Sequence, residues 1–229
     1  MTSSLQSQAY RAIRKKIIYS ELEPGKKISE KNLENLLHIG RTPIREALMQ
    51  LRRQELVYSI PQSGTYISLI DLTSAKNARF VREHIERQIM VECCAKLNDR
   101  TYKILKTLLD EQLTAIEEQD HYAFFQNDNL FHEVCFEIAG REEVWNWLSD
   151  HNIHLERFRW LRIMTSGLRW DVISKQHQQL LEALIDRNPE EVDFLTAVHL
   201  HMMLDEQQAV VAKYPDYFAK EEVSPLAND

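Results

Sequence analysis

The sequence predicts a mainly α protein: a small N-terminal module of three helices and a β-hairpin, followed by an antiparallel all-helical bundle. Three observations carry this expectation. Only 5 Gly and 6 Pro occur in 229 residues, too few for the tight turns of a sandwich or barrel. Between residues 71 and 214 the only breakers are Gly140, Gly167 and Pro189, while apolar residues recur at helical spacing. Charge is also divided. Residues 1–68 hold 11 Lys and Arg against 6 Asp and Glu, a net +5, and the rest holds 17 against 29, a net −12. A basic module that can meet an anion is joined to an acidic body.

With 44% hydrophobic and 28% charged residues the chain is not wholly disordered, and its length allows one or two cores. No apolar run reaches the roughly 18 residues of a membrane helix, so no membrane partner is expected. The opening Met1 to Gln6 lacks the charged-then-apolar pattern of a secretory leader. Cys93, Cys94 and Cys135 are an odd count with two adjacent, which suits reduced thiols buried in a cytoplasmic protein. The acidic tail from Lys220 to Asp229 reads as a frayed terminus.

In the N-terminal module, Leu5, Ala9, Ile13, Ile17 and Ile18 mark one helix face, with Arg11, Arg14, Lys15 and Lys16 opposite. Pro24-Gly25 breaks this helix. Ser29 is placed to cap a second helix running to about Leu37. Thr42 is expected to cap the third, with Pro43 at its first position. The inner face of the third helix is Ile44, Leu48 and Leu51, which leaves Arg41, Arg45, Gln50 and Arg52 outward. Residues 57–60 and 65–68 flank the turn Pro61-Gln62-Ser63-Gly64 as a hairpin. Three helices and a hairpin in under 70 residues make a winged helix-turn-helix.

The strings Ile28-Ser29-Glu30-Lys31-Asn32-Leu33, Arg41-Thr42-Pro43-Ile44-Arg45-Glu46-Ala47-Leu48 and Gly64-Thr65-Tyr66-Ile67 resemble the GntR-type winged-helix repressors. That resemblance implies binding of double-stranded operator DNA. It puts Arg41, Thr42 and Arg45 at the start of the recognition helix, Lys31 at the operator backbone and Gly64 at the wing tip. The side-chain chemistry agrees, because an Arg fork can bind a guanine edge and a helix start with Thr can meet a phosphate. The chain departs from the family at Gly40, where Ser or Thr is usual, and at Glu55, where Gly is usual.

In the body, breaks at residues 98–100, 139–140, 166–167 and 187–189 delimit about six helices. Asp128 and His132 lie four apart on one helix, so both point to one side. Phe124, Phe125, Phe131 and Phe136 place that side near the core. His177, His199 and His201 lie on later helices. Three imidazoles and a carboxylate suit Zn, Ni, Mn or Fe with positions left over. Nine histidines offer many chance combinations, so spacing alone leaves satisfied core or surface histidines as the default.

Behind such a head, Asp128-Asn129-Leu130-Phe131-His132, the stretch His177 to Leu184 and Ala197-Val198-His199-Leu200 are similar to the FCD (FadR C-terminal) effector domain. The resemblance implies a divalent transition metal, zinc first with nickel or manganese as alternatives, held by Asp128, His132, His177 and His199. His201 stays open as the substitute for His199, since the two point to different sides of a helix. Arg82 matches an effector-pocket arginine, against the alternative of a surface salt bridge with Glu86. Arg157 and Arg159 are further candidates, of which only one facing the pocket could serve.

These readings predict domains 1–70 and 71–229 of a homodimeric transcriptional regulator. A small organic-acid or sugar-acid effector would modulate its affinity for the operator. A metal-dependent hydrolase-like enzyme is the alternative, but it lacks an evident general base and leaves the head unexplained. A purely structural metal in a dimerisation bundle is the third reading.

Overall fold

The structure is a computed structural model that describes residues 4–220, apart from Leu168 and the side chain of Met203; the acidic tail from Glu221 onward lies outside the described residues. Helix α1 (Leu5–Ile18) is capped by Ser4 and buries Ala9, Ile13, Ile17 and Ile18. Strand β1 (Lys27–Ile28) precedes α2 (Glu30–Leu37), whose cap Ser29 accepts from the Asn32 N–H. Helix α3 (Arg41–Arg53) buries Ile44, Ala47, Leu48 and Leu51. Strands β2 (Val57–Ile60) and β3 (Gly64–Ile67) form the hairpin, and β1 adds to it antiparallel in the order β1-β3-β2. Two residues of β1 are too few to show periodicity, so the sequence gives no sign of a third strand.

Two expectations about α3 need correction. Gly40, not Thr42, is its N-cap, in extended conformation and without a side-chain cap, and the helix begins at Arg41. Thr42 and Pro43 therefore lie inside the first turn, where Pro removes no intrahelical hydrogen bond. Glu55 follows α3 with φ +60, a left-handed geometry that favours Gly.

The remaining helices are α4 (Leu72–Lys96), α5 (Asp99–Glu117), α6 (His121–Ala139), α7 (Glu142–His151), α8 (Ile153–Ile163), α9 (Asp171–Ile185), α10 (Pro189–His201) and α11 (Gln207–Lys213). The breaks at Asn98, Gly140, 166–167 and Asn188-Pro189 occur as expected. Those before α6 and α8 carry no Gly or Pro. Gln119 takes φ +57 before the Asp120 cap, and Asn152 alone separates α7 from α8. Among the described residues no helix is long and apolar enough to cross a membrane.

The sequence leads one to expect contiguous domains 1–70 and 71–229, whereas the compact units interleave. One unit holds the N-terminal residues to Ala75, Ile153–Phe158 and the chain from Val211. The other holds Lys76–Asn152 and Arg159–Val210. In the first, Ile153 joins the core of Ile13, Leu33, Ile44 and Leu51. There Arg157 donates to the Ser68 carbonyl at 2.7 Å, and Phe158 packs edge-on against Phe218. In the second, Met90, Cys93, Leu105, Phe131, Cys135, Leu180 and Leu184 form the main core, and all three cysteines are buried and free.

Candidate functional site

The exposed face of the first unit carries the candidate DNA contacts. Arg41, Thr42 and Arg45 are exposed in the first two turns of α3, and Lys31 is exposed in the first turn of α2. With no side chain capping α3, its first N–H groups are open to a phosphate oxygen. Glu30 gathers the arginines: Arg41 Nε donates to it at 2.8 Å and Arg45 Nε stands 3.9 Å away. That hydrogen bond, with the charge of Glu30, raises the Arg41 pKa above its ordinary value.

Gly64 has a reason of its own to be glycine. Its φ is +143, and a Cβ there would stand 2.6 Å from Lys27 Cε. Lys27 thus lies over the wing, a basic residue that sequence reasoning missed because β1 is so short. Arg52, expected from the sequence to face outward, donates to Ser59 Oγ on β2 at 2.7 Å and joins α3 to the wing.

Within the second unit, α6, α9 and α10 bring three imidazoles together. His177 Nε2 is 3.2 Å from His199 Nε2, which is 3.3 Å from His132 Nε2. Asp128 Oδ1, one turn before His132 on α6, is 3.8 Å from His177 Nε2. All four residues are buried. His201 has a 68% exposed side chain beside Glu83 and Arg79 and stands apart, so the choice left open between the two histidines falls geometrically on His199.

The other ring nitrogens make the cluster chemically specific. His132 Nδ1 is 2.8 Å from Glu86 Oε2, His177 Nδ1 is 3.0 Å from Gln112 Oε1, and His199 Nδ1 is 2.9 Å from Gln176 Oε1. The two glutamine oxygens are acceptors, so Nδ1 of His177 and of His199 carries the proton and Nε2 presents a lone pair, and the nearby Glu86 carboxylate favours the same tautomer of His132. Burial pushes the pKa of His132 and His199 well below the ordinary histidine value and that of His177 to about 4. The rings are therefore neutral at physiological pH. Their lone pairs then face one another with no proton between them, and a shared cation relieves the repulsion. Zn–N bonds of about 2.0–2.1 Å put neighbouring ligand nitrogens roughly 3.0–3.4 Å apart, so the donor set fits a divalent metal.

Two guanidinium–carboxylate pairs surround the cluster. Arg82 Nε donates to Glu86 Oε1, a buried i,i+4 pair. The salt bridge weighed for Arg82 exists, but it is internal rather than on the surface. The Nη2 of Arg82 is buried without a hydrogen-bond partner. Arg159 Nη2 donates to Asp128 Oδ2, and its Nη1 donates to Asn129 Oδ1 at 2.7 Å. Burial opposes the charge on Asp128, yet the guanidinium of Arg159 first, with that of Arg82 behind it, holds its carboxyl below the usual range.

A cavity of about 30 Å³ beside the cluster is lined by Asp128, Arg159, Arg162, Gln176, His199 and Met202 among others. Arg82 is not among its lining residues, and Arg157 belongs to the first unit. Of the three candidate arginines, the one that faces this cavity is Arg159. The second-layer residues Glu86, Gln112 and Gln176 escaped sequence reasoning. Their only signal is a polar residue on an otherwise apolar face, which spacing does not distinguish from solvent exposure.

Comparison with known proteins agrees with this architecture. Residues 5–67 match the bacterial regulatory proteins of the gntR family, and residues 78–202 match the FCD domain. The chain is 25% identical over 220 residues to the HTH-type transcriptional repressor RspR of Escherichia coli K12, covering 96% of each chain. It is 27% identical over 210 residues to an HTH-type transcriptional regulator of Streptomyces ambofaciens, covering 92% of this chain and 88% of that one. Among solved structures, E. coli McbR/YncC superposes with a TM-score of 0.79 at 17% identity, covering 93% of this chain and all of the other. The two curated relatives are named as transcriptional regulators rather than enzymes, and the DNA-binding head explains what a hydrolase would leave idle. The chain belongs to the GntR-type transcriptional regulators, with a winged helix-turn-helix that binds DNA and an FCD effector domain.

Proposed function

We propose that this chain is a homodimeric, metal-dependent repressor released from or locked onto its operator by a small organic acid. Asp128, His132, His177 and His199 would hold one divalent transition metal, with zinc as the first expectation and nickel or manganese as alternatives. The observation that carries this reading is the convergence of three buried Nε2 atoms, each ring with an acceptor oxygen within 3.0 Å of its Nδ1. Acceptors behind metal-ligating imidazoles set the tautomer and raise ligand basicity. A bound divalent ion would supply a fixed positive charge and open coordination positions.

Charge bookkeeping indicates the effector class. Glu86 and Asp128 balance Arg82 and Arg159, and the imidazoles are neutral, so the cluster without metal is close to uncharged. A divalent ion leaves about two buried positive charges, which favours an anionic partner. The unpartnered Nη2 of Arg82 adds a donor for a carboxylate. The name of the Escherichia coli relative supports repression. On the DNA side Arg41, Thr42 and Arg45 would reach bases and phosphates, with Lys31 at the backbone and Gly64 at the wing tip. Paired recognition helices in a dimer would read half-sites roughly 34 Å apart.

Elemental analysis of the purified protein beside His177→Ala tests this reading. About one transition metal per chain, lost in the variant while operator binding persists in a gel-shift assay, is the expected result. Equal metal in both proteins, or none in either after incubation with zinc, nickel and manganese, would overturn it.

A further inference from the structure

The cavity beside the histidines is lined by two arginines, and each is already engaged by a carboxylate. Arg162 Nε pairs with Glu206, and Arg159 Nη2 pairs with Asp128. The two engagements differ in kind. Glu206 lies outside the donor set, whereas Asp128 is the carboxylate that the reading above assigns to the metal. Its Oδ1 faces His177 and its Oδ2 faces Arg159. The Arg159 side chain is only 8% exposed, and its guanidinium lies 5.2 Å from the centre of the Phe125 ring. It can therefore reach the cavity without first being drawn out of water.

We propose that Arg159 is the carboxylate anchor of the effector site and that Asp128 holds it closed until a metal draws on the Asp128 charge. The proposal rests on the metal and effector reading above. Without metal, Asp128 spends an oxygen on its hydrogen-bonded cation, Arg159. A divalent ion held by Asp128 would compete for the same charge and loosen the guanidinium. The freed fork then faces the cavity, where a carboxylate can accept two parallel N–H bonds. Metal and effector thus bind in order, coupled through one side chain. The cavity holds a water or two, so the anchor must also shift for an organic acid to enter.

The test uses full-length protein stripped of metal with a chelator and malonate as the probe, read by titration calorimetry. In metal-free protein Asp128→Asn removes the charge that holds Arg159, so malonate should bind about tenfold more tightly than to wild type, the weight of one charge-assisted hydrogen bond. A second variant, Asp128→Asn with Arg159→Met, should lose that gain. A gain that survives Arg159→Met would trace to general charge removal and overturn the proposal, as would no gain at all.

In zinc-loaded protein, Arg159→Met should weaken malonate binding about tenfold while zinc per chain is unchanged. Unchanged malonate affinity there would overturn the anchor, and this arm decides the matter if Asp128→Asn does not fold. Wild-type protein that takes up no zinc would sink the metal reading instead, and the metal-free comparison would still decide the role of Arg159.

Discussion

Replacing Glu86 with Gln keeps the shape of the side chain and removes its charge. Glu86 is 1% exposed and Arg82 is 2% exposed. One carboxylate oxygen accepts from Arg82 Nε, and the other stands 2.8 Å from His132 Nδ1. Both partners are donors, and an amide has one acceptor oxygen to offer them. In Glu86→Gln the NH2 group must face either the guanidinium or the imidazole. Breaking a buried ion pair from one side costs about 3–5 kcal/mol, to be read as the change in urea unfolding free energy. If the NH2 turns to His132, the ring must take the other tautomer and withdraw its Nε2 lone pair, so metal affinity should fall about 10- to 100-fold.

Adding Arg82→Met removes the stranded cation, so the double variant should be less destabilised than Glu86→Gln alone. A loss below about 1 kcal/mol in the single variant would mean that water already solvates the pair. Additive losses in the double variant would show that the two side chains do not depend on each other. Either result would refute the reasoning.

Other expectations follow from single features. Glu55→Gly removes a left-handed non-glycine residue, and against the greater freedom of the unfolded chain the net gain should be about 0.5–1 kcal/mol in urea unfolding; a loss would refute the strain. Burial, helped by Arg157, depresses His154 to about 4 while its Nδ1 accepts from the Asp71 N–H. Since only the unfolded state protonates this ring between pH 6.5 and 4, stability should drop there by about 3 kcal/mol. His154→Gln should flatten that limb in unfolding curves taken at stepped pH, and an unchanged slope would exclude His154 as its source. Arg45→Ala should weaken specific operator binding at least tenfold with unchanged thermal unfolding of the body. Equal affinity would remove α3 from the base-reading role.

The sequence by itself determined the fold class, the charge division and most helix faces. The reason is physical. An amphipathic helix repeats its apolar residues at a period that survives in one dimension, as at Ile13 and Ile17 or Leu180 and Leu184, and a cap such as Ser29 is local. The resemblance to known regulators singled out Asp128, His132, His177 and His199, which spacing alone left among nine histidines. What no local signal carries is the identity of distant partners. The Arg41 cation meets Glu30 across a loop, and Lys27 covers Gly64. The break at Gln119 takes a left-handed geometry that its residue type does not favour, and the one at Asn152 has no Gly or Pro to announce it.

The tertiary structure alone decided that His199 faces inward while His201 faces out, and that Glu86, Gln112 and Gln176 stand behind the three imidazoles. It also decided which arginine meets the cavity. Arg157 and Arg159 are two apart on α8, so they point to different sides of the helix. Only packing determines which side is which: Arg157 turns to Ser68 in one unit, and Arg159 turns to Asp128 in the other.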